Sequence, residues 1–277
     1  MINPTVPLLT IITPVFNGEK FISQCLQSVI DQNCRDIEHI VVDGNSTDRT
    51  AAIVQEFAST HSHLRLISEP DRGQSDAQNK GIRAARAGYI SILNVDDFYA
   101  PGALSRIVEI IPTLREPRFI YGNCNVLKEG DELRSVNRPS VLKIENILVD
   151  RWTWEYPYNP TAYFYPKAIH ESVGYYDVKE HFAMDLKFIL AAIQEIEPLH
   201  IDEILGNFRL TPGTKTFQSI KNGSLEPRVR AIFRDAFIRA PWQTKIGIVS
   251  FWISNKPRVV YWNCRRRLRQ MARTRET

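Results

Sequence analysis

Four aspartates in the first hundred residues of the chain share one kind of position. Asp43 closes the run EHIVVD, Asp71 follows LRLIS through Glu69-Pro70, and Asp96 and Asp97 follow YISIL through Asn94-Val95. One aspartate after a short apolar, β-rich run is ordinary turn chemistry. Three carboxylate-bearing loops on one edge are a different matter. Like charges at short range disfavour one another unless a cation or hydrogen-bond donors offset them. Hard divalent ions such as Mg²⁺ or Mn²⁺ take oxygen ligands and bridge carboxylates to substrate phosphates. The sequence contains neither GxGxxG nor GxxxxGK[ST], which removes the usual dinucleotide cradle and the P-loop. If phosphate binds here, a metal on these carboxylates is the expected counter-charge.

The elements that would gather these residues are legible from periodicity. Leu8–Thr13, Glu38–Asp43, Leu64–Ser68 and Tyr89–Leu93 read as buried strands. Between them, Glu19–Asp31 and Gln74–Ala87 read as helices, as does a segment running to Phe57 behind the capping side chains of Asn45-Ser46-Thr47-Asp48. A helix from Pro101 to about Leu114 and a strand over Arg118–Tyr121 follow, and a later helix is expected over Met184–Ile196. Strands alternating with helices imply an α/β fold with a doubly wound, mainly parallel sheet. In such sheets ligands bind beyond the carboxyl ends of the strands, where the four aspartates lie.

Composition narrows the class. The chain has 277 residues, 43% hydrophobic and 24% charged, with net charge +4. That is enough to bury a large core and too apolar for disorder. No run approaches the roughly 18 apolar residues of a membrane span. Cys25, Cys34, Cys124 and Cys264 form no CxxC pair, and the N-terminus lacks a signal-peptide pattern, so a reducing cytoplasm is the expected compartment. From Lys256 to Thr277 there are eight Lys/Arg and one acid, so the rest of the chain is slightly acidic. A nucleic-acid-binding core is therefore not expected. The apolar run Ile246–Ile253 leads into this basic tail, and aromatics beside basic clusters suit the anionic inner face of a membrane. Packing of an amphipathic tail on the main domain is the other reading.

The ordered runs LTIITPVFNGEKFISQCLQSVIDQ, IVVDGNSTDRT, SEPDRGQSDAQNKGI and YISILNVDDFYAPGAL together resemble glycosyltransferase family 2 with the GT-A fold. A weaker likeness continues over Asn159–Leu190, where EHFAMDLKF resembles the segment that carries the family's catalytic base. The resemblance implies an inverting enzyme that moves a sugar from a nucleotide-diphosphate donor, by family habit a UDP-sugar, to a hydroxyl of a cell-surface polysaccharide or lipid-linked glycan. It implies a divalent cation, Mn²⁺ or Mg²⁺. Pro14, Val15 and Phe16 match the loop against the nucleobase, Asp43 a carboxylate on base or ribose, and Asp71 a donor-site acid. Asn94-Val95-Asp96 stands at the DxD position, which assigns the metal to Asp96 with Asp97 beside it; Asn94 replaces the first acid. Asp185 matches the base. Arg209, Thr214 and Lys215 resemble a late loop that closes over the donor, and Arg72 is a further phosphate partner. The implied layout is a GT-A domain over 1–240, with a nucleotide-sugar half (1–115) and an acceptor-side half (116–240), followed by a basic amphipathic tail over 241–277.

Plainer roles compete at several positions. Asp48 is expected to cap a helix, Asp97 can tie down its own loop, and Asp185 suits a helix first turn through the dipole. Glu180 and His181 are rival bases. The aromatic cluster Trp152, Trp154, Tyr156 and Tyr158 fits either an acceptor-binding wall or a packed loop. A catalytically silent nucleotide-sugar-binding scaffold subunit is the alternative from another class. A sugar nucleotidyltransferase is disfavoured, because its Gly-rich basic loop is missing.

Overall fold

Buried on both faces, the strands of a parallel sheet carry continuous apolar runs. β1 (Leu9–Val15) and β2 (Ile37–Asp43) are buried at every position. In this computed structural model, which describes residues 6–149, 156–157, 159–180, 182–250 and 253, they pair in parallel, Leu9 with Ile37 through Val15 with Asp43. β3 (Leu64–Ser68) and β4 (Tyr89–Ile92) extend the parallel sheet on either side. The connecting helices are α1 (Glu19–Ile30), α2 (Thr50–Thr60) and α3 (Gln74–Ala84).

α3 stops three residues before the expected Ala87. Ala85 is already extended, because the next two amides are used elsewhere: Arg86 N–H donates to buried Glu38 and Ala87 N–H to Thr10 Oγ1. The following helix also starts later than expected. Gly102 takes a left-handed φ of 78°, so Pro101-Gly102 form the turn before α4 (Ala103–Ile110).

After β4 the pairing becomes mixed. β5 (Phe98–Tyr99) is followed by α4, and then by β6 (Phe119–Leu127), longer than expected, with β7 (Leu133–Asn137) antiparallel to it. α5 (Ile144–Val149) precedes β8 (Tyr163–Pro166), which inserts antiparallel between β4 and β6. α6 (Ile169–Val173), α7 (Met184–Glu195), β9 (Pro198–Arg209), α8 (Lys215–Lys221) and α9 (Leu225–Arg239) complete the named elements. The strand order is β3-β2-β1-β4-β8-β6-β9-β5, with β7 beside β6. Parallel pairings hold most of the registered residues, so the sheet is mainly parallel, as read from the sequence.

The sheet separates two apolar layers. On one face Ile12, Ile40, Ile92, Tyr163 and Tyr165 pack with α3 and α7; on the other Leu9, Ile11, Ile120 and Phe164 pack with α1 and α4. α3 lies so close to β1 that a Cβ on Gly81 would sit 2.4 Å from Ile12 Cγ2. This contact fixes the helix start, and with it Gln74, at the strand ends.

Candidate active site

The carboxyl ends of β1 to β4 open into a cavity of about 610 Å³. Pro14, Phe16, Gly44, Asp71, Asn94, Asp96 and Asp97 line it from the sheet side. Tyr156, Asn159, Asp185, Thr214, Lys215 and Val229 line it from the later part of the chain. Asp96 and Asp185 therefore share one cleft.

The loops after β1 and β2 are braced against each other. Asn17 N–H donates to Ser46 Oγ and Gly18 N–H to Thr50 Oγ1, at 2.8 and 2.9 Å. Glu19 N–H donates to Asp48 while Arg49 N–H donates to Glu19. Asp48 also accepts from Thr50 N–H at the start of α2, the structural role expected of it. Because these side chains consume the amides at the start of α1, that helix end offers few free donors to an anion. Asp43 is fully buried and does not line the cavity. Its carboxylate accepts from Ser46 N–H, Ser46 Oγ and, at 2.7 Å, Ser68 Oγ. Next to it Gly44 lines the cleft, and a Cβ there would lie 2.5 Å from Asp71 Oδ2. The glycine leaves room for the Asp71 carboxylate, whose other oxygen accepts from Gly73 N–H.

The Asn94–Asp97 loop contains two unlike acids. Asp97 is 1% exposed and accepts three hydrogen bonds, from Arg209 N–H (3.0 Å), Asn159 Nδ2 (2.8 Å) and Asn94 Nδ2 (3.1 Å). Burial and the adjacent Asp96 push its pKa up, against those three donors. Asn94 in turn accepts from Gln74 Nε2 at 2.8 Å. Asp96 is half-buried in the cavity, raised by burial and lowered by the Arg209 and Lys215 charges.

Arg209 does not line the cavity. Its guanidinium pairs with Asp131, donates to Gln24 and to the Asp96 carbonyl, and lies over Phe98. It clamps the acid loop from behind, where the resemblance had it closing over the donor. Arg72, mostly exposed, pairs with Asp76 at i,i+4. Lys215 is thus the cation of this set that faces the cleft.

Asp185 stands in the first turn of α7 and is pushed up to about 6 by burial, against a 3.3 Å hydrogen bond from the Tyr163 hydroxyl. Glu180 is occupied in the turn before that helix, accepting from Phe182 and Ala183 N–H, with Arg228 3.5 Å away. His181, Trp152, Trp154 and Tyr158 lie outside the described residues, while Tyr156 is buried at the cavity wall. Two contacts had no local signal in the sequence: Asn159, which begins the segment of weaker family likeness, with Asp97, and Tyr163, which had no assigned role, with Asp185.

A sequence model described as Glycosyl transferase family 2 matches residues 10–166, more than half of the chain. The chain belongs to this family. An uncharacterized glycosyltransferase, EpsJ of Bacillus subtilis, is 29% identical over 226 residues, covering 76% of this chain and 63% of that protein. Chondroitin synthase of Escherichia coli is 38% identical over 127 residues, 46% of this chain and 18% of that one. The chain thus spans less than two thirds of the length of either relative. Among solved structures, S. aureus TarS 1-349 in complex with UDP-GlcNAc has a TM-score of 0.68 at 17% identity, covering 88% of this chain and 71% of that one. The mannosyltransferase PcManGT from Pyrobaculum calidifontis, solved with GDP-Man and Mn²⁺, has a TM-score of 0.54 at 17% identity, covering 94% and 84%. At such identities these structures establish a shared fold, the GT-A arrangement expected from the motifs.

Family 2 enzymes typically use a divalent cation, and the donor set here can be tested for one. Among the described residues no group of three or more His, Cys, Asp or Glu is arranged around a metal position. Asp97 has both oxygens engaged, and Asn94 has its oxygen on Gln74. That leaves Asp96 as the carboxylate facing the cleft beside this loop. A single carboxylate suits an ion that keeps most of its shell as water and substrate phosphate. The site fits a cation that arrives with a diphosphate.

Proposed function

We propose that this family 2 glycosyltransferase transfers a sugar, with inversion, from a nucleotide-diphosphate donor to an acceptor hydroxyl. The domain over 1–240 carries the chemistry, Asp185 is the general base, and Asp96 is the protein ligand to a divalent cation, Mn²⁺ or Mg²⁺. Asp71, Pro14, Phe16 and Lys215 contact the donor. Asp43 and Arg209 act from behind the cavity surface by holding the loops in place, and Asp97, at the cavity wall with both oxygens engaged, does the same for its own loop. A UDP-sugar is the donor we favour, in keeping with the UDP-GlcNAc in the TarS complex. The acceptor is a hydroxyl of a cell-surface polysaccharide or lipid-linked glycan at the inner face of a membrane.

The observation that carries this reading is the pairing of Asp96 and Asp185 in one cleft, one acid half-buried beside Lys215 and the other tuned toward neutrality. A carboxylate with a pKa near 6 is ionised at neutral pH yet basic enough to take a proton in the transition state. The acceptor hydroxyl gives its proton to Asp185, and its oxygen forms a bond to the anomeric carbon. The bond from that carbon to the diphosphate breaks on the opposite face, and its electron pair leaves with the nucleoside diphosphate. A bound cation supplies positive charge for the diphosphate as it departs. Lys215 contributes a second positive charge from the protein. Single displacement requires one base and no protein nucleophile, and Asp185 is the residue given the role of base here.

The test is release of nucleoside diphosphate from a panel of nucleotide sugars with and without Mn²⁺. Metal-dependent release that is lost in Asp96→Ala supports the proposal. Release unchanged in that variant removes the assigned role of Asp96.

A further inference from the structure

A second surface is set apart by its side-chain pattern. Beyond α9, residues 242–250 and 253 are helical. Trp242, Ile246, Val249 and Ile253 are 66%, 58%, 49% and 62% exposed. Their spacing of four, three and four residues places all four on one narrow stripe of a 3.6-residue helix. The opposite side of this helix is the packed one: Ile248 is buried, and a Cβ on Gly247 would lie 3.3 Å from Glu145 of α5. Among the described residues the segment is thus held against the domain on the Gly247–Ile248 side, while Trp242, Ile246, Val249 and Ile253 are exposed.

We infer that this stripe is an interfacial anchor, by which the enzyme lies in the plane of an anionic lipid surface. Three observations favour a bilayer over a protein partner. The stripe combines a tryptophan with branched aliphatics, with Lys245 and Arg239 nearby in sequence; this composition suits a helix lying at the headgroup boundary. Immediately after it come the eight Lys/Arg and single acid of residues 256–277, a charge excess that complements anionic headgroups. Four side chains on one stripe offer only a few hundred Å², short of the roughly 600–800 Å² that each partner contributes to a stable protein–protein contact. No helix among the described residues is long and apolar enough to cross a membrane, so the geometry points to a helix lying on the surface.

The location has a functional consequence. α9 begins with Leu225 and Val229 in the wall of the catalytic cavity and ends at Arg239, just before the stripe. Its 15 residues span about 22 Å. α9 thus connects the cavity wall to the stripe within one helix length, which puts the cavity within reach of an acceptor carried on a lipid. This extends the proposed membrane-borne acceptor, but the surface is testable without any transfer assay.

The experiment is co-sedimentation of the full chain with phosphatidylcholine vesicles, with and without phosphatidylglycerol. It compares the parent with an Ile246→Asn, Val249→Asn, Ile253→Asn triple variant. The parent is expected to bind the anionic vesicles preferentially, and the triple variant to bind them on the order of tenfold more weakly. Equal binding by the two proteins overturns the proposal. So does a parent that sediments with neither vesicle but elutes as a dimer that the triple variant dissociates, since the stripe would then be a contact between copies. Unchanged circular dichroism melting certifies the variant's fold. If the triple variant does not fold, Val249→Gln alone is carried through the same comparison. Donor hydrolysis in buffer, expected to be equal in parent and variant, separates failure of this proposal from failure of the transferase reading.

Discussion

From β1 to β4 the sheet is wholly parallel, and much of the bracing of its loops comes from nearby rim residues: Asn17 with Ser46 and Thr47, Glu19 with Asp48 and Arg49, Asp43 with Ser46 and Ser68. From β5 onward the pairing is mixed, and polar groups reach back across the molecule. Asn159 reaches Asp97, the Arg209 backbone reaches the same carboxylate, and Asn79 of α3 exchanges two hydrogen bonds with Tyr176. The first region forms a self-supporting rim. The second sets the protonation and aim of the acids at its edge. Substitutions in the second region should therefore change chemistry more than those in the first, and the contrast can be broken at named residues.

Asp185→Asn is expected to have the largest effect, lowering kcat by about 10² to 10⁴ with the donor Kd nearly unchanged. It should also leave the fold no less stable at neutral pH. The folded-state pKa of about 6 lies above the ordinary aspartate value of 3.8. The native state thus binds a proton more tightly than the unfolded state, and stability falls as pH rises from about 4 to about 6. Asparagine mimics the protonated form and removes that loss. Thermal melts of both proteins on either side of this window test the sign. Asp96→Ala follows, with a loss of about 10² to 10³ in metal-dependent release. If Asp185→Asn keeps its rate, the second region does not control the chemistry in the way its contacts imply; if Asp96→Ala does, the acid at the edge of the first region has no part in release.

Asn159→Ala tests the cross-braces directly. It removes one of three donors from a carboxyl group that is 1% exposed, so a buried polar oxygen loses a partner. The expected cost is about 1–3 kcal/mol of stability by denaturant titration, with a rate loss of about tenfold through the displaced Asp96 loop. A rate loss without any stability loss would mean that Asn159 touches substrate instead.

Much of this contrast was readable in advance, for a physical reason. A strand buried on both faces carries its own signal, and LTIIT, HIVVD and YISIL could be placed without knowing their neighbours. The cavity positions of Asp71 and Asp96 followed from strand ends, and those of Asp185 and Lys215 were expected only from the family resemblance. Other features depended on distant partners. α3 ends at Ala84 because Glu38 and Thr10 take the next amides, and β8 occupies its place in the sheet because β4 and β6 flank it. Asp43 and Arg209 have residue types suited to a donor site, but their side chains are engaged elsewhere, by Ser68 and by Asp131. Asn159 and Tyr163 were illegible because their contacts cross 62 and 22 residues of chain.

Tyr163→Phe makes a smaller change that still separates tuning from packing. The hydroxyl donates to Asp185 and favours its ionised form. Activity is expected to rise with pH through about 6 in the parent, as Asp185 ionises. In the phenylalanine variant this acid limb should move to higher pH, since burial would then act with no opposing hydrogen bond from this hydroxyl. A merely structural tyrosine would lower the plateau and leave the limb where it is.

The smallest effect is expected on the rim. In Gly44→Ala the new Cβ would meet Asp71 Oδ2 at 2.5 Å. The obstacle is the end of one side chain, so the carboxylate can turn aside at little cost in stability. Asp71 would still accept from Gly73 N–H through its other oxygen, but the oxygen beside Gly44 would leave its present place in the cavity. If the first region serves donor binding, KM for the nucleotide sugar should rise a fewfold, on the order of 1 kcal/mol, while kcat and the acid limb stay fixed. A fall in kcat with KM unchanged would place Asp71 among the groups that act in the transition state, and the division between a binding rim and a chemical edge would then have to be redrawn through the first region itself.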